Sequence, residues 1–235
     1  MTKKTSYTRF PAMKKTNRKN FIMSNVLITA AFLLIVVSAG FSPSWSLPSG
    51  RRQTAGIKNA QQTADITTMK GRYCSLADFQ RLINNIDNLR RGISTRKAAE
   101  LAKYIWLAGD RFNCEPTLIA ALIQVESSFF SRATSHMGAV GLMQLRPFVA
   151  RELARRLETS WKGIQTLHDP EINILMGTCY LATLRRDFTD LTTALVAYNC
   201  GPSYVRRRLR RGMRLPTRYP AKIISLYQTF EENRS

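Results

Sequence analysis

From Ser75 to Glu232 the apolar residues recur at intervals of three and four, not two. In "SLADFQRLINNIDNLRRG" the stripe is Phe79, Leu82, Ile83, Ile86 and Leu89, which lays one face of an α-helix against a core. Ser75 is a candidate N-cap with Asp78 three residues on, and Gly92 ends the segment. "STRKAAELAKYIWLAGDRF" repeats the pattern through Leu101, Tyr104, Ile105 and Ala108. Pro116 suits the first position of a helix over 116–127, and Pro147 starts another over 147–157. Asp169-Pro170 is an N-cap followed by an N1 proline, and that helix ends in Arg185-Arg186, as the helix dipole favours. Asp190 caps 191–199, which Gly201-Pro202 stops; "SYVRRRLRR" and Tyr219 to Glu232 are the last two helices. Apart from the glycine-containing loop 135–145, no alternating pattern competes, so residues 73–235 are expected to form one mostly α domain.

The first 72 residues read differently. Residues 1–20 carry seven Lys or Arg and no acid, and residues 21–41, "FIMSNVLITAAFLLIVVSAGF", carry no charge at all. A basic flank before an apolar run of this length is either an export signal or a membrane anchor with its N-terminus inside. Val37-Ser38-Ala39 would serve as a small-residue cleavage site, and the two readings stay open. Residues 42–72, rich in Ser, Gly, Gln and Thr without an apolar period, read as a flexible linker. Either membrane reading places residues 42–235 outside the cytoplasm, in the periplasm or on the outer face of an inner membrane.

Charge and cysteine content sharpen this placement. The formal net charge is +21, which favours an anionic partner: nucleic acid, an acidic lipid surface or an acidic polymer. Export argues against nucleic acid. It also permits disulfides among Cys74, Cys114, Cys179 and Cys200, whose three possible pairings the sequence does not choose between. With two histidines and no CxxC, no metal site and no cofactor are expected. The arginines Arg206, Arg207, Arg208, Arg210, Arg211, Arg214 and Arg218 read either as a solvated face or as an attractor of anionic glycan or lipid.

One carboxylate breaks the apolar pattern. On the helix 116–127, Glu126 shares a face with Ile119, Leu122 and Ile123. A carboxyl buried there raises its pKa unless a cation pairs with it. It is therefore either half of a structural ion pair or a general acid protonated near neutral pH. "SHMGAVGLMQLRP", residues 135–147, follows as a tight loop in which Gly138 and Gly141 let the backbone approach a ligand. Its amides and the Gln144 side chain could hold sugar hydroxyl or acetamido groups. "VAYNCGP" puts Tyr198 and Asn199 at a helix end.

Taken in order, Glu126-Ser127, Ser135, Gly138-Ala139, Gly141-Leu142-Met143-Gln144, Pro147, Asn173, Gly177, Tyr180-Leu181, Ala197-Tyr198-Asn199, Gly201-Pro202 and Tyr219 resemble the soluble lytic transglycosylase (SLT) family of peptidoglycan-cleaving enzymes over about residues 113–228. The resemblance implies an α fold of the goose-lysozyme kind (all-α, within the α+β lysozyme-like class) with a small loop or hairpin after the catalytic helix. It implies cleavage of the β-1,4 bond between N-acetylmuramic acid and N-acetylglucosamine, leaving a 1,6-anhydro sugar. Glu126 would be the single acid and base, with the substrate's own acetamido group steadying the cationic centre. Tyr198 would lie near Glu126 and position it or the sugar, while Ser135, Met143, Gln144, Asn199 and Tyr219 would line the groove. Ser127 would orient the loop. The partners implied are glycan strands, the membrane through the N-terminal segment, and secretion or cell-wall machinery. Two positions depart from the family pattern: Phe130-Ser131 stands where Asn-Pro is frequent, and Cys200 where Ala is common, fitting a small buried thiol or a disulfide. A goose-type hydrolase, a catalytically silent glycan-binding scaffold and a basic nucleic-acid binder are the competing readings.

Overall fold

The structure, a computed structural model, describes residues 75–90 and 92–232. The basic arm, the apolar run 21–41, the linker 42–72 and Cys74 lie outside them. Eight α-helices follow one another: α1 Leu76–Leu89, α2 Thr95–Phe112, α3 Pro116–Ser127, α4 Pro147–Arg156, α5 Pro170–Asp187, α6 Leu191–Cys200, α7 Pro202–Arg210 and α8 Arg218–Glu232. The described residues contain no β-strand, only isolated bridges from Val140 to Thr134 and to Leu145, so the loop after α3 falls short of a hairpin. A 3₁₀ turn, Gly163–His168, joins α4 to α5. The periodicity did not predict it, because a single tight turn has no repeating apolar face.

The expected caps form. The Ser75, Asp169 and Asp190 side chains accept the amide N–H groups of Asp78, Ile172 and Thr193. Pro116, Pro147 and Pro170 sit in first turns, where no intrahelical donor is lost. Arg185 and Arg186 lie in the last turn of α5.

α3 is the axis of the fold. Leu118 to Ile123 are all buried, so this helix is covered on every side. α1, α2 and α8 pack around it, and α5 packs against α2 on one side and α6 on the other. Arg185 on α5 pairs with Glu115 just before α3 at 2.9 Å. α3 ends abruptly. Ser128 and Phe129 both take left-handed backbone conformations, at φ 50° and 60°, and turn the chain into the loop 128–146. The Arg90 guanidinium, from the end of α1, holds that turn by donating to the Phe129 carbonyl at 3.0 Å.

The three described cysteines are free thiols, so none of the disulfides the sequence permitted joins Cys114, Cys179 and Cys200. Cys200 is also exposed rather than buried, because α6 ends there and Gly201 turns the chain outward. Among the described residues no helix is long and apolar enough to cross a membrane.

Candidate active site

Glu126 lies one residue from the C-terminal end of α3, where a fully buried helix meets the surface. Its carboxylate forms no ion pair among the described residues. Instead Glu126 Oε1 accepts a hydrogen bond from the Tyr219 hydroxyl, carried by the first turn of α8. Burial drives the Glu126 pKa up from 4.5 to about 7; the Tyr219 hydrogen bond, which favours the anion, opposes this in part. The carboxyl is thus a reservoir for one proton near neutral pH. Burial, followed by the neighbouring Glu126 charge, raises the pKa values of both Tyr219 and Tyr198 well above 10, so both phenols stay protonated donors.

The loop 133–145 packs beside the end of α3, and it is fastened at several points. Ser127 Oγ donates to the Leu142 carbonyl at 2.8 Å, tying the loop to the residue after Glu126. Val140 and Leu145 exchange backbone hydrogen bonds of 3.0 and 3.1 Å, and the Gly141 amide donates to Ala133 at 2.8 Å. Beneath the loop lies Asn173, a residue of α5 with 0% exposure. Its Oδ1 accepts the Met143 amide at 2.8 Å, and its Nδ2 donates to the Val140 and Leu167 carbonyls at 3.0 and 2.9 Å. Every hydrogen-bonding direction of that amide but one is used.

The expected site residues fall into distinct places. Tyr219, expected to line the groove, donates its hydroxyl to Glu126, and the Glu126 charge also acts on Tyr198. The Tyr198 hydroxyl instead donates to the Met143 carbonyl at 2.8 Å, and its ring packs on Tyr180 with centroids 5.3 Å apart. Met143 is corrected outright. Its side chain is 0% exposed and belongs to the core, so it lines no groove; its backbone joins Asn173 to Tyr198. Gln144 Nε2 donates to the Gly141 and Ala133 carbonyls at 2.9 and 3.2 Å, so the amide nitrogen braces the loop rather than reaching outward. Ser135 Oγ accepts the Ala139 amide at 3.0 Å and closes the tip. Asn199 is exposed at the end of α6. Phe130, at the departure from the family pattern, is exposed beneath Arg90, whose guanidinium carbon lies 4.9 Å from the ring centre.

Asn173 was noted in the motif without a role, although a signal existed. It is the lone amide among the buried positions of α5, which include Ile174, Met176, Gly177, Tyr180, Leu181 and Leu184. A fully buried polar side chain must be satisfied by something, here a loop that has no ladder of its own. Other acids are used elsewhere. Glu152 pairs with Arg155 at 2.6 Å, and Asp169 caps α5. Among the described residues no group of His, Cys, Asp and Glu could hold a metal ion.

The family model described as "Transglycosylase SLT domain" matches residues 103–219, from within α2 to Tyr219. A transglycosylase of Enterobacteria phage PRD1 is 38% identical over 97 residues, covering 41% of this chain and 33% of that protein. Membrane-bound lytic murein transglycosylase E of Buchnera aphidicola is 39% identical over 108 residues, covering 44% of this chain and 51% of that protein. Among solved structures, an inactive mutant of the lytic transglycosylase Slt of Pseudomonas aeruginosa is 30% identical, with a TM-score of 0.44 over 54% of this chain and 21% of that one. The chain thus spans between a third and a half of the length of these two curated relatives.

Proposed function

Residues 103–219 belong to the transglycosylase SLT family, and from that premise we propose that the chain is a peptidoglycan lytic transglycosylase with Glu126 as its single acid and base. The observation that carries the proposal is the state of Glu126: half-buried, free of any cation among the described residues, and protonated up to about pH 7. In the first step the Glu126 carboxyl gives its proton to the glycosidic oxygen as the bond from the muramoyl anomeric carbon breaks, releasing the 4-hydroxyl of N-acetylglucosamine. In the second, the Glu126 carboxylate takes the proton of the muramoyl C6 hydroxyl while that oxygen bonds to the anomeric carbon. The 1,6-anhydro ring closes, Glu126 regains its proton and no water is consumed. General acid–base catalysis of this kind contributes about 10²–10⁴-fold.

Tyr219 points the carboxyl and keeps its pKa from climbing further. Tyr198 and Asn173 hold the Met143 backbone, and with it the loop that walls the cleft. Ser135, Gln144 and Asn199 border the cleft as groove residues. Among the described residues no second carboxylate acts on the Glu126 titration, which fits one group in two roles better than the paired carboxylates of most glycosidases.

The curated relatives include membrane-bound enzymes by name, which suggests a cell-envelope location. The basic residues 1–20 and apolar residues 21–41 would deliver the chain there as signal or anchor, with 42–72 as the linker to a catalytic domain over 73–235.

The test is a digest of purified cell walls analysed by mass spectrometry. The wild type should release 1,6-anhydro-muropeptides, and Glu126→Gln should lower the rate by at least about 10²-fold with its circular dichroism unchanged. Products with reducing ends alone would assign a hydrolase instead. Equal clearing by wild type and variant would remove Glu126 from the chemistry.

A further inference from the structure

Between Asp190 and Glu231 the chain has no acid, yet it carries seven arginines and Lys222. Most of this charge lies on α7 and on the segment 211–217, which together connect Asn199 at the end of α6 to Tyr219 at the start of α8. Two of the arginines are structural. Arg206 pairs with Asp187 at 2.7 Å, and Arg208 Nε donates to the Arg214 carbonyl at 2.8 Å, folding the segment back on α7. The side chains of Arg207, Arg210, Arg211 and Arg214 are exposed and form no ion pair among the described residues. Between them Leu209 and Met213 are 51% and 43% exposed. The result is a ridge of guanidinium groups with two apolar steps, running from the exposed Asn199 to Tyr219, the hydrogen-bond partner of Glu126.

We infer that this ridge binds the carboxylates of the peptide stems carried by the same glycan strand whose sugars lie at Glu126. The inference rests on the proposed function. Like charges this close repel, and a surface that retains them without counter-charge is matched to a polyanion. The planar fork of arginine suits carboxylates, which it takes by two parallel hydrogen bonds. Stem peptides supply such groups at intervals along the strand, and their aliphatic side chains suit Leu209 and Met213. Location selects the stem over a bilayer. The ridge adjoins Asn199 and Tyr219, so a flat membrane seated on it would crowd the cleft, whereas a stem enters with the strand. Part of the substrate's affinity would then come from charges remote from the broken bond.

The experiment uses the full chain with Glu126→Gln as a binding probe, with and without R207Q, R210Q, R211Q and R214Q together. Fluorescently labelled, uncrosslinked glycan strands are titrated in two forms, with stems intact and with stems removed. The four changes should weaken binding of stem-bearing strands about tenfold, as expected for several exposed charge pairs each worth a few tenths of a kcal/mol. Binding of stripped strands should stay unchanged, and added salt should erase the difference between the two proteins. An unchanged affinity for intact strands, or an equal loss on both strands, overturns the inference. So does loss of binding to phosphatidylglycerol vesicles with strand binding intact, which would make the ridge a lipid contact. A parent that binds strands without regard to their stems sinks the inference alone; failure of the wild type to yield anhydro products sinks the function beneath it.

Discussion

Glu126 keeps its proton to about pH 7 because the walls of its pocket desolvate the anion more than the Tyr219 hydroxyl stabilises it. The proposed reaction begins with the protonated acid, so activity falls as pH rises through that value. Tyr219→Phe removes the hydrogen bond that favours the anion. The Glu126 pKa must then rise, and the falling limb of kcat/KM should move to higher pH while the rate at its plateau drops. A pH–rate profile of the variant reads both, and a limb left in place would mean that Tyr219 does not govern the acid. At this scale the sequence was partly legible. A carboxylate at Glu126, seven positions on from Ile119, could be placed on the buried face from spacing alone. The choice between Tyr198 and Tyr219 as its partner could not, because both lie more than seventy residues away and their rings reach the cleft from different helices.

Among the elements, the loop 133–145 is built to be held from outside. It has no strand pairing beyond isolated bridges, and Asn173 supplies two of its ties, to the Met143 amide and the Val140 carbonyl. Gly141 is where loop and helix come closest. At φ 83° it occupies left-handed backbone space, and a Cβ there would overlap the Asn173 side chain and the Leu167 carbonyl. Gly138, at φ 75° on the same loop, has open space where its Cβ would be. Gly138→Ala should therefore cost about 1 kcal/mol, the strain of the backbone alone. Gly141→Ala should cost about 3 kcal/mol or more, since strain and overlap add and an Asn173 hydrogen bond breaks. Urea unfolding of the two variants tests this, and equal losses would mean that the close approach is relieved without consequence. The helices themselves were legible because caps, prolines and a period near 3.6 agree at each of them. The 3₁₀ turn at Gly163–His168 escaped because its stability comes from packing under α4 and α5, not from a pattern of its own.

For the whole molecule, the contacts that shape the site among the described residues lie between Arg90 and Tyr219. The domain proposed for residues 73–235 should therefore be self-sufficient. Expressed without the first 72 residues, it should unfold cooperatively and form anhydro product from soluble strands at a rate within about twofold of the full chain, since the acid–base groups are all retained. Membrane association of the full chain that the fragment lacks would mark residues 21–41 as an anchor, and its absence from both would mark them as a cleaved signal. Fractionation and product analysis of the truncated chain decide this; an inactive but folded fragment would mean that the N-terminal residues contribute to catalysis as well as to location.

What the sequence determined by itself is the set of local facts: where helices start and stop, which face of α3 is apolar, and that an acid sits on that face. Each depends on neighbours within about one or two helical turns, so spacing and residue type suffice. The tertiary structure decided which groups meet: Tyr219 on Glu126, Tyr198 on the Met143 carbonyl, Asn173 beneath the loop, and Cys200 exposed and unpaired. Those pairings join residues 30 to 93 positions apart. They follow from how the helices cross and from which buried polar atoms are left to satisfy, a condition of the packed core as a whole.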